Sequence, residues 1–230
     1  MISTATHISL LTGTPCTCTY DSIMLRPSAE SHKWRICINI GGTSSITLCP
    51  PWPKKNETNT ALPIGLDPGL GVFFMDLTVR ALNSSLEYDD GGKLARSGTL
   101  NEDLLAKFLQ NKYYQKQELP IGVGPNDFPE TLWAEWRALA HKQGVCDIDL
   151  LTTLTELTAK QIALACRRFG GNGVAGGKTD DVLLRGGIIA NTYFVERLKA
   201  NLEEQLEVKI ERIKTLDDIG LEEESWENAM

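Results

Sequence analysis

Residues 34–49, which read WRICINIGGTSSITLC, determine the fold class. In 34–40 apolar side chains alternate with Arg, Cys and Asn, and this two-residue period predicts a half-buried strand. Gly41 and Gly42 then interrupt the pattern, and 43–49 is again rich in β-forming residues. We therefore predict a β-hairpin in which both glycines can adopt positive φ at the turn.

The rest of the chain adds helices and two more strands. Apolar residues three and four apart predict the helices, and caps or glycines mark their ends. The predicted helices are 72–82, 102–110 behind an Asn101 cap, 149–169, and 191–206 capped by Asn191; the predicted strands are 181–184 and 208–213. Together these patterns predict an α/β protein that ends in a βαβ unit. In such a unit, the helix N-terminus lies at the carboxyl edge of the sheet, where ligands bind.

Composition narrows the possible functions. The chain has 230 residues, 42% of them hydrophobic, and a net charge of −7, which fits one large or two small domains. The negative charge argues against nucleic acid or an anionic membrane as a partner. No apolar run approaches the roughly 20 residues that span a bilayer, so we expect a cytoplasmic protein. Cys16 and Cys18 form a C-x-C pair without the two further ligands of a zinc site, which favours a structural role.

The hairpin turn is a candidate ligand site. Its candidate residues are Asn39, Gly41, Gly42 and Thr43. Glycines without Cβ atoms let an anion approach backbone N–H groups, and the threonine hydroxyl is a further donor for a phosphate. Gly-Gly hairpins are also common as purely structural turns, so the spacing alone leaves both interpretations open.

A second glycine turn lies between a predicted strand and a predicted helix. It contains Gly186, Gly187 and Asn191. The N-terminus of the helix offers unpaired N–H groups and a dipole that favours negative or polar ligands. Because glycines also occur wherever a strand turns sharply into a helix, a structural interpretation remains equally open.

In a third candidate segment, Asp67 is followed by Gly69 and Gly71. The pattern predicts that this segment is a turn before a helix. A carboxylate there can hold Mg²⁺ through water or orient a substrate hydroxyl. The alternative is that Asp67 only shapes the turn.

Several segments resemble the anhydro-N-acetylmuramic acid kinase family over most of residues 15–230. The stretch N-I-G-G at 39–42 with Ile46-Thr47 is similar to the family's N-I-G-G-I-A-N-I-T hairpin, and Asp67, Gly69, Gly71 and Met75-Asp76 resemble its D-T-G-P-G-N segment and following helix. Further matching segments are Tyr88-Asp89, Gly92, Ala95 and Gly98 for Y-D-x-x-G-x-x-A-x-x-G, L-T-T-L-T-E-L-T-A at 151–159, and Gly186, Gly187 and Asn191 for C-G-G-G-x-x-N. Agreement in order and spacing is far more specific than any one glycine pair.

The sequence also departs from the family pattern. Gly13-Thr14-Pro15 is similar to part of the family's G-G-Q-G-A-P turn, and counting back places Thr6 where the family's catalytic Asp belongs. Residues 120–126, PIGVGPN, stand where the family has P-K-S-T-G-R-E, so Lys, Arg and Glu are lost. Ile188 replaces a family residue in the turn on the adenosine side.

The resemblance implies a fold, an activity and ligands. It implies the C-terminal lobe of an actin-like, ribonuclease H-like ATPase fold, with a mixed sheet flanked by helices. Residues 1–30 would be a degenerate remnant of the interdomain region and residues 31–230 the nucleotide-binding lobe. The implied activity is phosphorylation of a 1,6-anhydro amino sugar with opening of its anhydro bridge, using ATP and Mg²⁺.

The departures leave other functions open. One is a catalytically dead nucleotide-binding or regulatory module, and another is a fragment of a longer kinase with little activity alone. In either case, a lobe without its partner domain exposes apolar surface, which makes self-association an expected result.

Overall fold

A computed structural model describes residues 17–31, 33–55, 61–170 and 178–221. Thr6 and Cys16 lie outside these residues, as do Gly13 to Pro15. The strands are β1 (Lys33–Ile40), β2 (Thr43–Cys49), β3 (Ile64–Leu70) and β4 (Lys178–Arg185). The helices are α1 (Thr17–Met24), α2 (Phe73–Leu82), α3 (Lys93–Ser97), α4 (Glu102–Leu109), α5 (Glu130–Lys142), α6 (Asp147–Gly170) and α7 (Thr192–Leu206), with short 3₁₀ turns at Asp90–Gly92, Gly187–Ala190 and Asp217–Ile219.

The four strands form one mixed sheet in the order β3-β2-β1-β4. β2 pairs antiparallel with both β1 and β3, whereas β4 runs parallel to β1 with Ile38 opposite Leu184. The predicted hairpin is therefore confirmed, and so is the α/β class with a mixed sheet flanked by helices. Because β1 and β4 are parallel, their last residues, Ile40 and Arg185, lie side by side at the carboxyl end of the two strands.

Helix α6 forms the centre of the helical layer. Most of its residues are buried, since it packs against α2, α3, α4 and α7 and against β2 and β3. The apolar stripe predicted for 149–169 is the buried face of this helix and packs in the protein core, as expected. The two predicted asparagine caps are also confirmed, because Asn101 Oδ1 accepts from Leu104 N and Asn191 Oδ1 accepts from Phe194 N, both at 2.9 Å. Within the described ranges, no helix is both long and apolar enough to span a membrane.

The predicted strand at 208–213 is wrong. This segment has no strand residue, and the chain rejoins the sheet only at Lys214, through a single parallel bridge to Leu183. The backbone N–H of Ile210 donates to Glu203 Oε1 at 2.8 Å. The Glu203 side chain of α7 therefore accepts the backbone hydrogen bond that Ile210 would have donated to a neighbouring strand.

Two predictions about turns are also wrong. Gly41 and Gly42 are not among the residues with positive φ. Instead, their carbonyls accept from Val72 N at 2.9 Å and from Phe73 N at 3.3 Å, so the start of α2 holds the turn. Asp67 does not lie in a turn, because β3 runs through it. Pro68 is tolerated in β3 because this strand forms an edge of the sheet.

Helix α1, which the sequence patterns did not predict, packs against β2. Its Asp21 is fully buried and faces the equally buried Arg185 at the end of β4, with 2.8 Å between Oδ2 and Nη2. Thr47 Oγ1 donates to the same carboxylate oxygen at 2.7 Å. This pair connects α1 to the edge of the sheet where β1 and β4 end. The proposed boundary near residue 30 stays a prediction.

Candidate functional site

A cavity of about 420 Å³ opens where β1 and β4 end. This volume lies within the roughly 300–1,000 Å³ of typical small-molecule sites. Five segments line it: the hairpin turn, the start of α2, the 88–91 loop, the middle of α6, and the 3₁₀ turn that leads to α7. The lining residues are Ile40, Gly41, Gly42, Val72, Met75, Asp76, Tyr88, Asp89, Asp90, Gly91, Leu151, Thr155, Gly187, Ile188, Ala190 and Asn191. We call this space the first cavity.

Three of the predicted glycines border open space in the first cavity. A Cβ atom added at Gly41 or Gly187 would meet no atom within 4 Å, and one at Gly42 would meet only the Phe73 Cβ at 3.8 Å. The protein itself therefore does not need glycine at these positions to avoid a clash. Their bare backbone allows a ligand to approach from both sides of the cavity.

Three other predicted glycines are required by the packing of the protein. At Gly69 a Cβ atom would lie 2.6 Å from Tyr114 Cε1, at Gly71 it would clash with the Gly41 carbonyl, and at Gly186 it would clash with the Ile40 carbonyl. Gly69 and Gly186 also have positive φ, at 145° and 93°. None of the three lines the first cavity. The predicted glycines therefore divide into one group that lines the cavity and one group that lets strands and turns pack closely.

Asn191 lies where α7 begins, at the wall of the first cavity. Its side-chain oxygen caps the helix by accepting from Phe194 N. Gly92 packs so closely against it that a Cβ atom there would clash with Asn191 Oδ1. The 88–92 loop and the N-terminus of α7 are therefore built as one unit, which places the positive end of the α7 dipole beside the cavity.

The charged residues among the described lining of the first cavity are all acidic, namely Asp76, Asp89 and Asp90. Two of these carboxylates already have partners. Asp89 accepts from Leu94 N and Ala95 N, both at 2.9 Å, and Asp90 pairs with Lys93.

Asp76 differs from the other two acids of the cavity wall. Among the described residues, no hydrogen bond or ion pair is made by its side chain. Partial burial raises the pKa of Asp76 to about 6, and the charge of Arg80 opposes this rise. The group is therefore ionised at neutral pH and faces the cavity without a bonded partner.

A second cavity, of about 410 Å³, lies on the other side of Gly42. Its lining residues are Gly42, Thr43, Asp67, Leu70, Phe73, Val123, Gly124, Pro125 and Phe128. Within the described part of the chain, Asp67 is the one charged residue that lines it, and the Asp67 carboxylate accepts from Val123 N at 3.1 Å. The carbonyl of the same residue accepts from the Tyr113 hydroxyl at 2.6 Å. The 120–126 segment thus forms one wall of this cavity.

The structure brings together some of the predicted site residues and separates others. Gly41, Gly42, Gly187 and Asn191 share the first cavity, whereas Thr43 and Asp67 line the second. Asn39 lies within β1, opposite Ser45 and Arg185, and lines neither cavity. Gly69, Gly71 and Gly186 lie behind the cavity walls.

Sequence reasoning assigned no site role to Asp76, to the Tyr88–Asp90 loop or to Thr155. All of them line the first cavity. The available signal was their place inside the segments that resemble family patterns, at 75–76, 88–98 and 151–159. Their convergence requires contacts between segments far apart in sequence, which periodicity does not reveal.

The described residues contain no group of three or more His, Cys, Asp or Glu side chains arranged to hold a metal ion. Mg²⁺ is commonly bound in proteins through one or two carboxylates together with substrate phosphates.

The chain matches known proteins over most of its length. It is 31% identical over 210 residues to the anhydro-N-acetylmuramic acid kinase of Crocosphaera subtropica, covering 91% of this chain and 51% of that protein. It is 35% identical over 185 residues to that of Rippkaea orientalis, covering 80% of this chain and 44% of that protein. The chain thus spans about half the length of these relatives.

The chain is also similar to solved structures. One of them is the activator of the 2-hydroxyisocaproyl-CoA dehydratase from Clostridium difficile with bound ADPNP, which matches 79% of this chain and 53% of its own chain at 11% identity and a TM-score of 0.43. Similarity at that level supports no argument about function.

The family model for anhydro-N-acetylmuramic acid kinase matches residues 12–230. That match covers nearly the whole sequence and includes both glycine turns of the first cavity. The chain belongs to the anhydro-N-acetylmuramic acid kinase family.

Proposed function

We propose that this chain is a nucleotide-binding lobe of an actin-like ATPase fold and that it binds ATP in the first cavity. The observation that supports this most strongly is the meeting of Gly41, Gly42 and Gly187, whose backbone is bare on the cavity side. The hairpin turn would face the phosphates, and the turn at Gly187 with the start of α7 would face the nucleoside. Apolar walls formed by Met75 and Leu151 suit a base.

We propose that Mg²⁺ accompanies the nucleotide. The described residues offer no metal site of their own, and the cavity wall is acidic rather than basic. A cation carried by the phosphates fits such a wall. When bound, it would neutralise charge on the transferred phosphoryl group. The part of this chain would be to orient the nucleotide through the two glycine turns.

The acceptor would be a 1,6-anhydro amino sugar, phosphorylated as its anhydro bridge opens. The second cavity adjoins the first at Gly42, which suits an acceptor next to the terminal phosphate. Phosphoryl transfer depends mainly on such positioning and on charge neutralisation. We place this activity in the cytoplasm, with neither nucleic acid nor membrane as a partner.

A second candidate is a module that binds nucleotide without catalysis. The wall of the second cavity at Val123, Gly124 and Pro125 carries no charged side chain, and the carboxylate of Asp67 is already bonded to Val123 N. Few groups there are free to recognise a sugar. We therefore propose that the chain by itself has little kinase activity. Self-association through apolar surface is a further expectation of this proposal.

Calorimetric titration with a non-hydrolysable ATP analogue and Mg²⁺ tests the proposal. We expect saturable binding by the wild type and loss of binding in Gly187→Trp, because an indole at this open position fills the first cavity. Ala138→Trp is the matched control, since it adds an indole to the exposed face of α5, outside either cavity.

Thermal melting should show that all three proteins are folded. Absence of binding by folded wild-type protein would contradict the proposal. Equal binding by wild type and Gly187→Trp would place the nucleotide elsewhere.

A further inference from the structure

Asp76 occupies a distinctive place in the first cavity. It lies on the first turn of α2, and its N–H donates to the Val72 carbonyl at 2.9 Å. Val72 N in turn donates to the carbonyl of Gly41, and Phe73 N to that of Gly42. The backbone of Asp76 is therefore about one helical turn, or about 5 Å along the axis, from the glycine turn that would face the phosphates.

The electrostatic surroundings of Asp76 contain little to offset its charge. Asp89 and Asp90 share the cavity wall, and the lining residues that the structure describes include no lysine, arginine or histidine. Arg80, on the next turn of α2, is exposed and forms no ion pair with Asp76 in the described structure. An anionic ligand near the hairpin turn would thus meet a net negative wall.

We propose that Asp76 makes the first cavity select the divalent-metal complex of a nucleotide over the metal-free nucleotide. This inference rests on the proposed function, because it assumes that a polyphosphate occupies the cavity. The carboxylate repels uncompensated phosphate oxygens and attracts the cation that they carry. Asp76 is thus a specificity-determining residue, and it acts through its charge.

Asp76 is also the acid of this wall whose charge is least compensated. Both carboxylate oxygens of Asp89 accept hydrogen bonds from backbone N–H groups at the start of α3. Asp90 forms an ion pair with Lys93, and the side chains of Asp90 and Lys93 are each 76% exposed to solvent. Exposed, paired charges are strongly screened by water and salt. Asp76 is half-buried and makes no such pair, so its charge acts on a ligand in the cavity at short range.

The test compares two isosteric variants, Asp76→Asn and Asp90→Asn. Each removes one negative charge from the same cavity wall without changing side-chain size. A non-hydrolysable ATP analogue is titrated calorimetrically into each protein, once with excess Mg²⁺ and once with EDTA. The measured quantity is the ratio of the metal-free Kd to the Mg²⁺ Kd. Asp76→Ser, which also removes the charge, is a second variant in case the first does not fold.

We expect the wild type to bind the Mg²⁺ complex more tightly than the metal-free analogue. A unit charge several ångströms from the phosphates in a partly buried site corresponds to a change of about tenfold or more, so Asp76→Asn should lower the ratio by that factor. The gain should come mainly from tighter metal-free binding. Asp90→Asn should change the ratio by less than about twofold, because Lys93 already compensates that charge.

An unchanged ratio in Asp76→Asn and Asp76→Ser would overturn the inference while leaving nucleotide binding in place. Equal weakening of both forms would also overturn it, since that result indicates a structural role. If the folded wild type binds the analogue under neither condition, the proposed function fails first and the selectivity fails with it.

Discussion

Asp21 and Asp76 are two carboxylates whose pKa values burial raises to about 6, but they lie in different parts of the fold and have different surroundings. Asp21 is fully buried against Arg185 and Thr47 on the side of the sheet that faces α1. Asp76 is half-buried and lines the first cavity, and its side chain makes no hydrogen bond or ion pair within the described structure.

The difference shows that a raised pKa does not by itself identify a functional group. For both residues desolvation is the largest cause, and a neighbouring arginine opposes it. What separates them is geometry. Asp21 directs its Oδ2 atom to two protein donors, so its charge serves the packing of α1 on the sheet. The charge of Asp76 faces open space, where a ligand can meet it.

The largest expected effect is on the Asp21 side. Asp21→Ala removes the charge that faces the buried guanidinium of Arg185, and breaking one partner of a buried pair costs about 3–5 kcal/mol. Urea denaturation would measure the loss in the free energy of unfolding. The double variant Asp21→Ala with Arg185→Met should recover much of it, because neither buried charge of the pair then remains. A loss below about 1 kcal/mol for Asp21→Ala would contradict the structural role of this pair.

A second prediction compares the two neighbouring glycines at the end of β4. Gly186→Ala should destabilise the protein by about 2 kcal/mol or more, because φ is 93° and the new Cβ would clash with the Ile40 carbonyl. Gly187→Ala should change stability by less than about 0.5 kcal/mol, since its Cβ would meet no atom within 4 Å. Thermal melting of the two variants distinguishes them. Similar losses of stability in both variants would contradict the open space beside Gly187.

The smallest expected effect is a pH dependence at Asp76. Its pKa is about 6 in the folded protein and about 3.8 in the unfolded chain, so between these values the folded state binds more protons. The contribution of Asp76 to stability therefore falls as the pH rises through this window and levels off above about pH 7. Asp76→Asn removes that loss.

Urea denaturation at pH 4.5 and pH 7.5 measures this difference. Allowing for the solvent exposure of the group, the stability of Asp76→Asn relative to wild type should rise by about 1 kcal/mol between the two pH values. Asp21 titrates in the same direction in both proteins, so its contribution cancels. A pH-independent difference for Asp76→Asn would contradict the raised pKa.

Features that depend on local pattern were predicted well. The alternation in 34–40, the apolar stripe of α6 and the two asparagine caps each follow from side chains close together in sequence, and the structure confirms them. Four elements were missed, namely α1, β3, α3 and α5. In β3 the segment IGLDPGL carries two glycines and a proline, which imitate a turn, and only pairing with β2 makes it a strand.

The candidate site was predicted in part. The two glycine turns were identified from their residue types, but their pattern could not show which glycines border open space. That distinction depends on whether another segment fills the space beside each Cα. Tyr114, Gly41 and Ile40 fill it at Gly69, Gly71 and Gly186, while at Gly41 and Gly187 the space is empty.

The sequence by itself thus determined the α/β class, the hairpin, the helix caps and the family, because periodicity and ordered motifs are properties of the chain. The tertiary structure alone decided that Asp67 lies in an edge strand, that Asp21 meets Arg185, and that Asp76 faces a cavity. The physical reason is distance along the chain. Residues 21 and 185, or 76 and 187, become neighbours only after the sheet and α6 have packed, and burial, charge and open space are properties of that packing.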